Sequence, residues 1–174
     1  KPSDLRMSMP ETSCSPTNAS RTMLLNLHDL KWDPEMLNLF DVPETMLPEL
    51  RGSADDFGAA DKSVFGAEIP ITAMAGDQHA ALYGQACFRN GQIKCTYGTG
   101  AFVLANRGST PPIQQSGPGD TGLLATLGFQ VGSKRHYAIE GSVFVTGATV
   151  QWLRDGLGII SNPAETSDMA LMAG

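Results

Sequence analysis

A chain of 174 residues, 41% of them hydrophobic, can bury a core as one domain or two small halves and is no disordered segment. Eighteen acidic against twelve basic side chains give a formal charge of −6, without the Lys/Arg stripe by which a protein meets nucleic acid. No apolar run nears the ~20 residues that span a bilayer, and Cys14, Cys87 and Cys95, lacking metal-ligand spacing, read as free thiols of a reducing cytosol.

Residues 1–16, rich in Pro, Ser and Met without hydrophobic period, read as a poorly ordered leader and lack the pattern of a secretory signal. Asn18-Ala19-Ser20 then turns the chain into the apolar Met23-Leu24-Leu25. Asp33-Pro34-Glu35 is a helix start: an N-cap carboxylate, proline at the first helical position, then an acid at the positive dipole end. Met36, Leu37, Leu39 and Phe40 are expected on its buried side, and Pro43 stops it by Val42. Met46-Leu47-Pro48 predicts a second short helical turn, and residues 52–68 a surface loop. Ile69-Pro70-Ile71-Thr72-Ala73-Met74-Ala75 predicts a buried strand.

Asp77 to about Cys87 predicts a helix with small residues for close packing. Lys94 to Asn106 predicts a hairpin turning at Gly98-Thr99-Gly100. Ser109–Asp120, with three prolines, reads as a loop, and Leu123–Gln130 and His136–Ile139 as strands flanking Gly132-Ser133-Lys134-Arg135. Ser142 is expected to open a helix to about Leu157, ended by Gly156 and Gly158, with Phe144, Ala148 and Trp152 on one face. From residue 69 the order strand, helix, hairpin, strands, helix predicts an α/β or α+β architecture.

Three places could carry chemistry. Asp77 is either a general base for a substrate hydroxyl or the N-cap of its helix, and Gln78 beside it can pair with a hydroxyl. His79 needs a partner that the sequence does not reveal. Gly98-Thr99-Gly100 is either a plain hairpin turn or a phosphate contact, where glycine amides approach closely and the Thr99 hydroxyl adds a donor. It lacks the Gly-Lys-Ser/Thr of a phosphate-binding loop. Gly147 and Gln151, four apart, share a helix face that suits either a nucleotide or another helix.

In this order the elements resemble the FGGY carbohydrate kinase family, and within it the glycerol kinases. The strings are Thr17-Asn18-Ala19-Ser20-Arg21-Thr22, Ala75-Gly76-Asp77-Gln78, Tyr97-Gly98-Thr99-Gly100 with Phe102, and Glu140-Gly141-Ser142-Val143-Phe144 leading into Gln151-Trp152-Leu153-Arg154-Asp155. The resemblance runs from about Thr17 to about Ile160.

It implies an actin-like fold of two ribonuclease-H-like lobes, of which residues 17–75 would end the first and 76–174 begin the second, after an unmatched leader. It implies ATP-dependent phosphorylation of glycerol in the cytoplasm, with Mg²⁺ on the phosphates and self-association of the full-length enzyme left open. Asp77 would be the base, Gln78 would bond glycerol and Phe102 would pack on its carbons. Thr99, Gly98 and Gly100 would meet the phosphates, Gly147 and Gln151 the nucleotide, and no residue is assigned to a metal.

The family's first-lobe Asp-x-Gly-Thr hairpin, its Arg-Glu glycerol segment and its later Gly-Gly region have no counterpart in this sequence. His79 stands where the family commonly has Gln. An incomplete segment, inactive alone, is therefore expected. The alternatives are another sugar or polyol kinase of the family, or a truncated, non-catalytic binding module.

Overall fold

In chain order the first elements are β1 (Ser13–Cys14), α1 (Pro16–Ala19), β2 (Leu25–Asn26), β3 (Lys31–Trp32), α2 (Pro34–Leu39), β4 (Glu49–Leu50), β5 (Ala59–Ala60), α3 (Lys62–Phe65) and β6 (Ile69–Pro70). They come from a computed structural model that describes residues 12–113 and 121–173. Of the expected leader, residues 1–11 lie outside that range. Ser13 and Cys14 pair in parallel with β4, and Ser15 and Pro16 are buried. β2 pairs antiparallel with β3, and β5 with β6.

Helix α2 starts as its sequence dictates: Asp33 Oδ1 accepts from Glu35 N at 2.9 Å and Met36 N at 3.2 Å. Only Leu37 of its apolar residues is buried; Leu39 and Phe40 are exposed and Met36 half-buried, because six residues offer one inward position, not four. The next helical turn is 3-10, at Glu44–Met46, just before the expected Met46-Leu47-Pro48. The expected loop at 52–68 contains β5 and α3. The expected buried strand at 69–75 shrinks to β6, with Ile69 and Ile71 exposed, since no described layer covers them.

The second half is α4 (Asp77–Gly84), β7 (Ile93–Tyr97), β8 (Ala101–Gly108), β9 (Leu124–Val131), β10 (Lys134–Val143), α5 (Gly147–Asp155) and α6 (Glu165–Met172). β7 to β10 form one antiparallel sheet in the order β7-β8-β10-β9. The β9–β10 turn is the two-residue Gly132-Ser133, with Gly132 at φ +56°, as tight hairpins require. Part of the expected 109–120 loop, residues 114–120, lies outside the described residues.

β10 runs to Val143, so the helix expected from Ser142 begins five residues later at Gly147. Phe144 precedes the helix and is exposed, so it forms no stripe with Ala148 and Trp152. Ser142 instead continues the ladder opposite Phe102, and strand pairing overrides the local helical pattern.

Two apolar clusters hold the layers together. Ala19, Leu25, Leu30, Leu127 and Tyr137 join α1 and its following loop to the sheet. Leu82, Cys87, Leu104, Phe129 and Ala138 join α4 to it. Gly128 marks the closest approach: a Cβ there would lie 3.1 Å from Leu82 Cδ2 and 3.0 Å from His136 O. Asn106, fully buried on β8, donates to Cys87 O at 2.7 Å and accepts from Gly108 N at 2.7 Å, which closes the segment after α4 onto the sheet. Cys14, Cys87 and Cys95 are free thiols, and among the described residues no helix is long and apolar enough to cross a membrane. Leu104→Ala should destabilise the protein by about 2–5 kcal/mol in chemical denaturation, because the side chain is fully buried.

Candidate active site

Asp77 is the first residue of α4, and the N-cap is Gly76, which lends no side chain to the task. The structural reading of Asp77 as N-cap therefore falls. Its Oδ1 accepts from Gln78 N at 2.8 Å and its Oδ2 from Gln78 Nε2 at 3.2 Å, and the carboxylate is exposed. The N-terminus of α4 is fixed from below: Gly76 N donates to Thr17 Oγ1 at 3.1 Å, and that hydroxyl shares a 2.9 Å hydrogen bond with Ser15 Oγ. Gly76 has no room for a side chain, since a Cβ would stand 2.8 Å from Asn18 Oδ1 and 2.9 Å from His79 Nδ1.

Asp77, Gln78 and Phe102 meet in one cleft of about 240 Å³, with Asn18, Arg21, Gly76, His79 and Glu140 as its other walls. Arg21 Nη2 lies 2.9 Å from Glu140 Oε1, and Glu140 is 4% exposed. Ser142 Oγ also donates to that carboxylate at 3.3 Å. Residues 119 positions apart thus form a neutral pair in the wall, and leave Asp77 as the exposed carboxylate of the cleft. The volume admits a small polar molecule, and the donors and acceptors suit one rich in hydroxyls.

His79 has the partner that the sequence could not name. Its Nε2 and Thr126 Oγ1 are 3.1 Å apart, and Thr126 Oγ1 is 2.8 Å from Ser20 Oγ. Burial, and then the positive charges of Arg21 and Lys94, push its pKa down to about 4. The imidazole is thus neutral at pH 7 and braces the wall.

The Gly98-Thr99-Gly100 loop is docked on α5. Gly98 O accepts from Gly147 N at 3.0 Å, and Thr99 O accepts from Thr146 N at 2.9 Å and Ala148 N at 3.1 Å. Gly147 is the first helical residue, not an interior one, so its cost is not that of a mid-helix glycine. A Cβ there would lie 2.5 Å from Gly98 O, and one on Gly100 would lie 2.7 Å from Val143 O. Gly147 serves the docking on α5, and Gly100 the close approach of the turn to the end of β10. Thr99 is exposed, and the amides of Thr99 and Gly100 make no hydrogen bond among the described residues. Gln151 is exposed on α5, one turn beyond Gly147.

The predicted residues thus fall into two groups, Asp77, Gln78 and Phe102 in the cleft and Gly98–Gly100, Gly147 and Gln151 around α5. They are linked by β8, which carries Phe102 two residues after Gly100. Arg21, Glu140 and Asn18 stood in the quoted strings without a role; only the folded chain brings them to Asp77.

Residues 4–84 match the N-terminal domain of the FGGY family of carbohydrate kinases. The chain is 54% identical over 154 residues to a glycerol kinase of Methylobacterium nodulans, across 88% of this chain and 30% of that protein. The chain is similar to members of the FGGY carbohydrate kinase family. It spans about 30% of the length of the curated relatives it matches.

The crystal structure of Plasmodium falciparum glycerol kinase with ADP superposes with a TM-score of 0.78 at 37% identity, across 90% of this chain and 31% of that one. A ligand-bound xylulose kinase from Lactobacillus acidophilus gives a TM-score of 0.75 at 21% identity, across 92% and 32%. The fold is therefore that of the FGGY kinases, actin-like and ribonuclease-H-like, as the sequence led us to expect, and this chain carries part of it.

Two outcomes follow from the geometry. Gly147→Ala should force the loop from α5 and speed hydrogen exchange of the Thr146, Gly147 and Ala148 amides about tenfold, the equivalent of one hydrogen bond. The depressed pKa of His79 means that the unfolded chain binds a proton more readily than the folded one between about pH 6.5 and pH 4. Stability should be full above that window and fall through it as pH drops, by up to about 3 kcal/mol, with His79→Gln flattening the loss in urea titrations.

Proposed function

We propose that the protein to which this chain belongs transfers the γ-phosphoryl group of ATP to glycerol, giving glycerol 3-phosphate in the cytoplasm. The observation that carries this is the exposed Asp77 carboxylate in a small polar cleft with Gln78 and Phe102, in a chain more than half identical to glycerol kinases. Asp77 accepts the proton of the attacking hydroxyl, Gln78 hydrogen-bonds the polyol, and Phe102 covers its carbon edge. Such catalysis rests on positioning and electrostatics.

The loop and α5 take the nucleotide side. Two unpaired amides at Thr99 and Gly100, with the Thr99 hydroxyl, suit phosphate oxygens. Gly98 shapes the turn and Gly147 lets it close on α5, while Gln151 offers an amide toward the nucleotide. Mg²⁺ is assigned to the phosphates of ATP on the resemblance to the family, and no step is routed through it. When bound, the ion would neutralise phosphate charge.

We place the end of the first lobe in the segment up to residue 75 and the start of the second from residue 76, a boundary that lies inside the stretch matching the family's N-terminal domain, which runs on to residue 84. In support, α4 packs on β7, β8 and β9, whereas the strands before it form only two-residue pairs. A cleft with walls in both lobes needs the remainder of the protein, so the segment alone should bind ATP and glycerol weakly by calorimetry. Tight binding with turnover by the segment would overturn that expectation.

In the full-length protein, Asp77→Asn should abolish turnover, by about 10³-fold or more, and leave ATP affinity within about twofold. Retained turnover would remove Asp77 as the base. Initial rates with glycerol, xylulose and gluconate separate this reading from another kinase of the family, and glycerol should give the highest kcat/KM.

A further inference from the structure

Beneath the cleft lies an ammonium group that touches no carboxylate among the described residues. Lys94, on β7, is 1% exposed. Its Nζ donates to Gln78 Oε1, to Thr96 Oγ1 at 2.9 Å and to Phe102 O at 3.3 Å. An ammonium has three protons, and here they go to α4, β7 and β8 respectively. Two of the three acceptors belong to residues that line the cleft, Gln78 and Phe102.

A buried cation is costly: the penalty is several kcal/mol, and an apolar side chain of similar volume fills such a place at no charge cost. Burial lowers the Lys94 pKa, opposed by the fields of Glu140 and Asp77. A position that served packing alone would take methionine or leucine. What lysine adds is direction. Gln78 has one oxygen and one nitrogen at its tip, and the oxygen is taken by Lys94. The nitrogen must then face Asp77, and it donates to Oδ2 at 3.2 Å while the Gln78 backbone amide holds Oδ1 at 2.8 Å. Turned the other way, the amide would set its oxygen against the carboxylate and its nitrogen against the ammonium, two repulsions at once.

We propose that Lys94 is a positioning residue of the catalytic cleft: its buried ammonium fixes the side-chain orientation of Gln78, and through Gln78 that of the Asp77 carboxylate, while its bond to Phe102 O seats the strand that carries the Phe102 ring. This rests on the function proposed above for the identity of the bound polyol, but the orientation of Gln78 holds whatever the substrate.

The test is made on the full-length protein. Lys94→Met should raise KM for glycerol about tenfold and leave KM for ATP within twofold; general damage to the fold would move both. In a Gln78→Met background Lys94→Met should add clearly less than its tenfold effect in the wild type, because its bond to Gln78 is already gone and only those to Thr96 and Phe102 remain to be lost. Equal effects on both substrates, or effects that multiply in the double variant, would overturn the proposal.

A second measurement needs no activity. The Gln78 side-chain amide signal in an amide-detected NMR spectrum, assigned by its loss in Gln78→Met, should stand apart from those of exposed glutamines and join them in Lys94→Met. An unmoved signal overturns the proposal. Should Lys94→Met fail to fold, Lys94→Gln, which keeps a donor and loses the charge, is read in its place with the same expected directions. A wild-type protein that leaves glycerol untouched would instead sink the proposed function, and the Gln78 signal would still decide the role of Lys94.

Discussion

The hydroxyl of Thr17 holds the N-terminus of α4, and the cleft depends on it. Thr17 sits in α1, 59 residues before Gly76, and its Oγ1 accepts from the amide on which α4 begins. A side chain on Gly76 would displace the Asn18 or His79 side chain, since its Cβ would stand under 3.0 Å from both. With that end pinned, the backbone of the next two residues, Asp77 and Gln78, is held at the cleft. One hydroxyl and one missing Cβ set where the carboxylate stands.

The cleft is built from groups that each carry a desolvation cost, and each cost is met within the wall. Glu140 is neutralised by Arg21. His79 gives up its charge and shares a hydrogen bond with Thr126. Lys94 is surrounded by three oxygens. Half-satisfied, such a network would be worse than an apolar core. Among the described residues no buried side-chain nitrogen or oxygen lacks a partner. The exposed Asp77 is the carboxylate of the cleft without an ion pair among the described residues, which is the ground for proposing it as the base.

Much of this was legible beforehand where the signal is local. Asp33-Pro34-Glu35 carries its own cap, so α2 begins where it should. The hairpin at Gly98–Gly100 and the strands around Gly132 follow from alternation and turn chemistry. The failures share one cause. Residues 69–75 are apolar and predict a buried strand, and the spacing of Phe144, Ala148 and Trp152 predicts one face of a helix from Ser142. Yet burial is a property of what lies opposite, and for Ile69, Ile71, Phe144 and Val145 the described chain supplies too little cover. Ser142 stayed in the sheet because Phe102 opposite it already required a ladder partner.

By itself the sequence determined the chemistry that could be offered: an acid at the head of a helix, an amide beside it, and a glycine-flanked threonine in a tight turn, in the order of the FGGY kinases. These are local facts, written in adjacent residues and in backbone freedom that only glycine has. Tertiary structure alone decided that Asp77 was no cap, that Arg21 and Glu140 close the cleft across 119 residues, and that Lys94 lies beneath Gln78. The last two depend on distances between segments, and the energy of a buried charge is set by such distances and by the solvent they exclude.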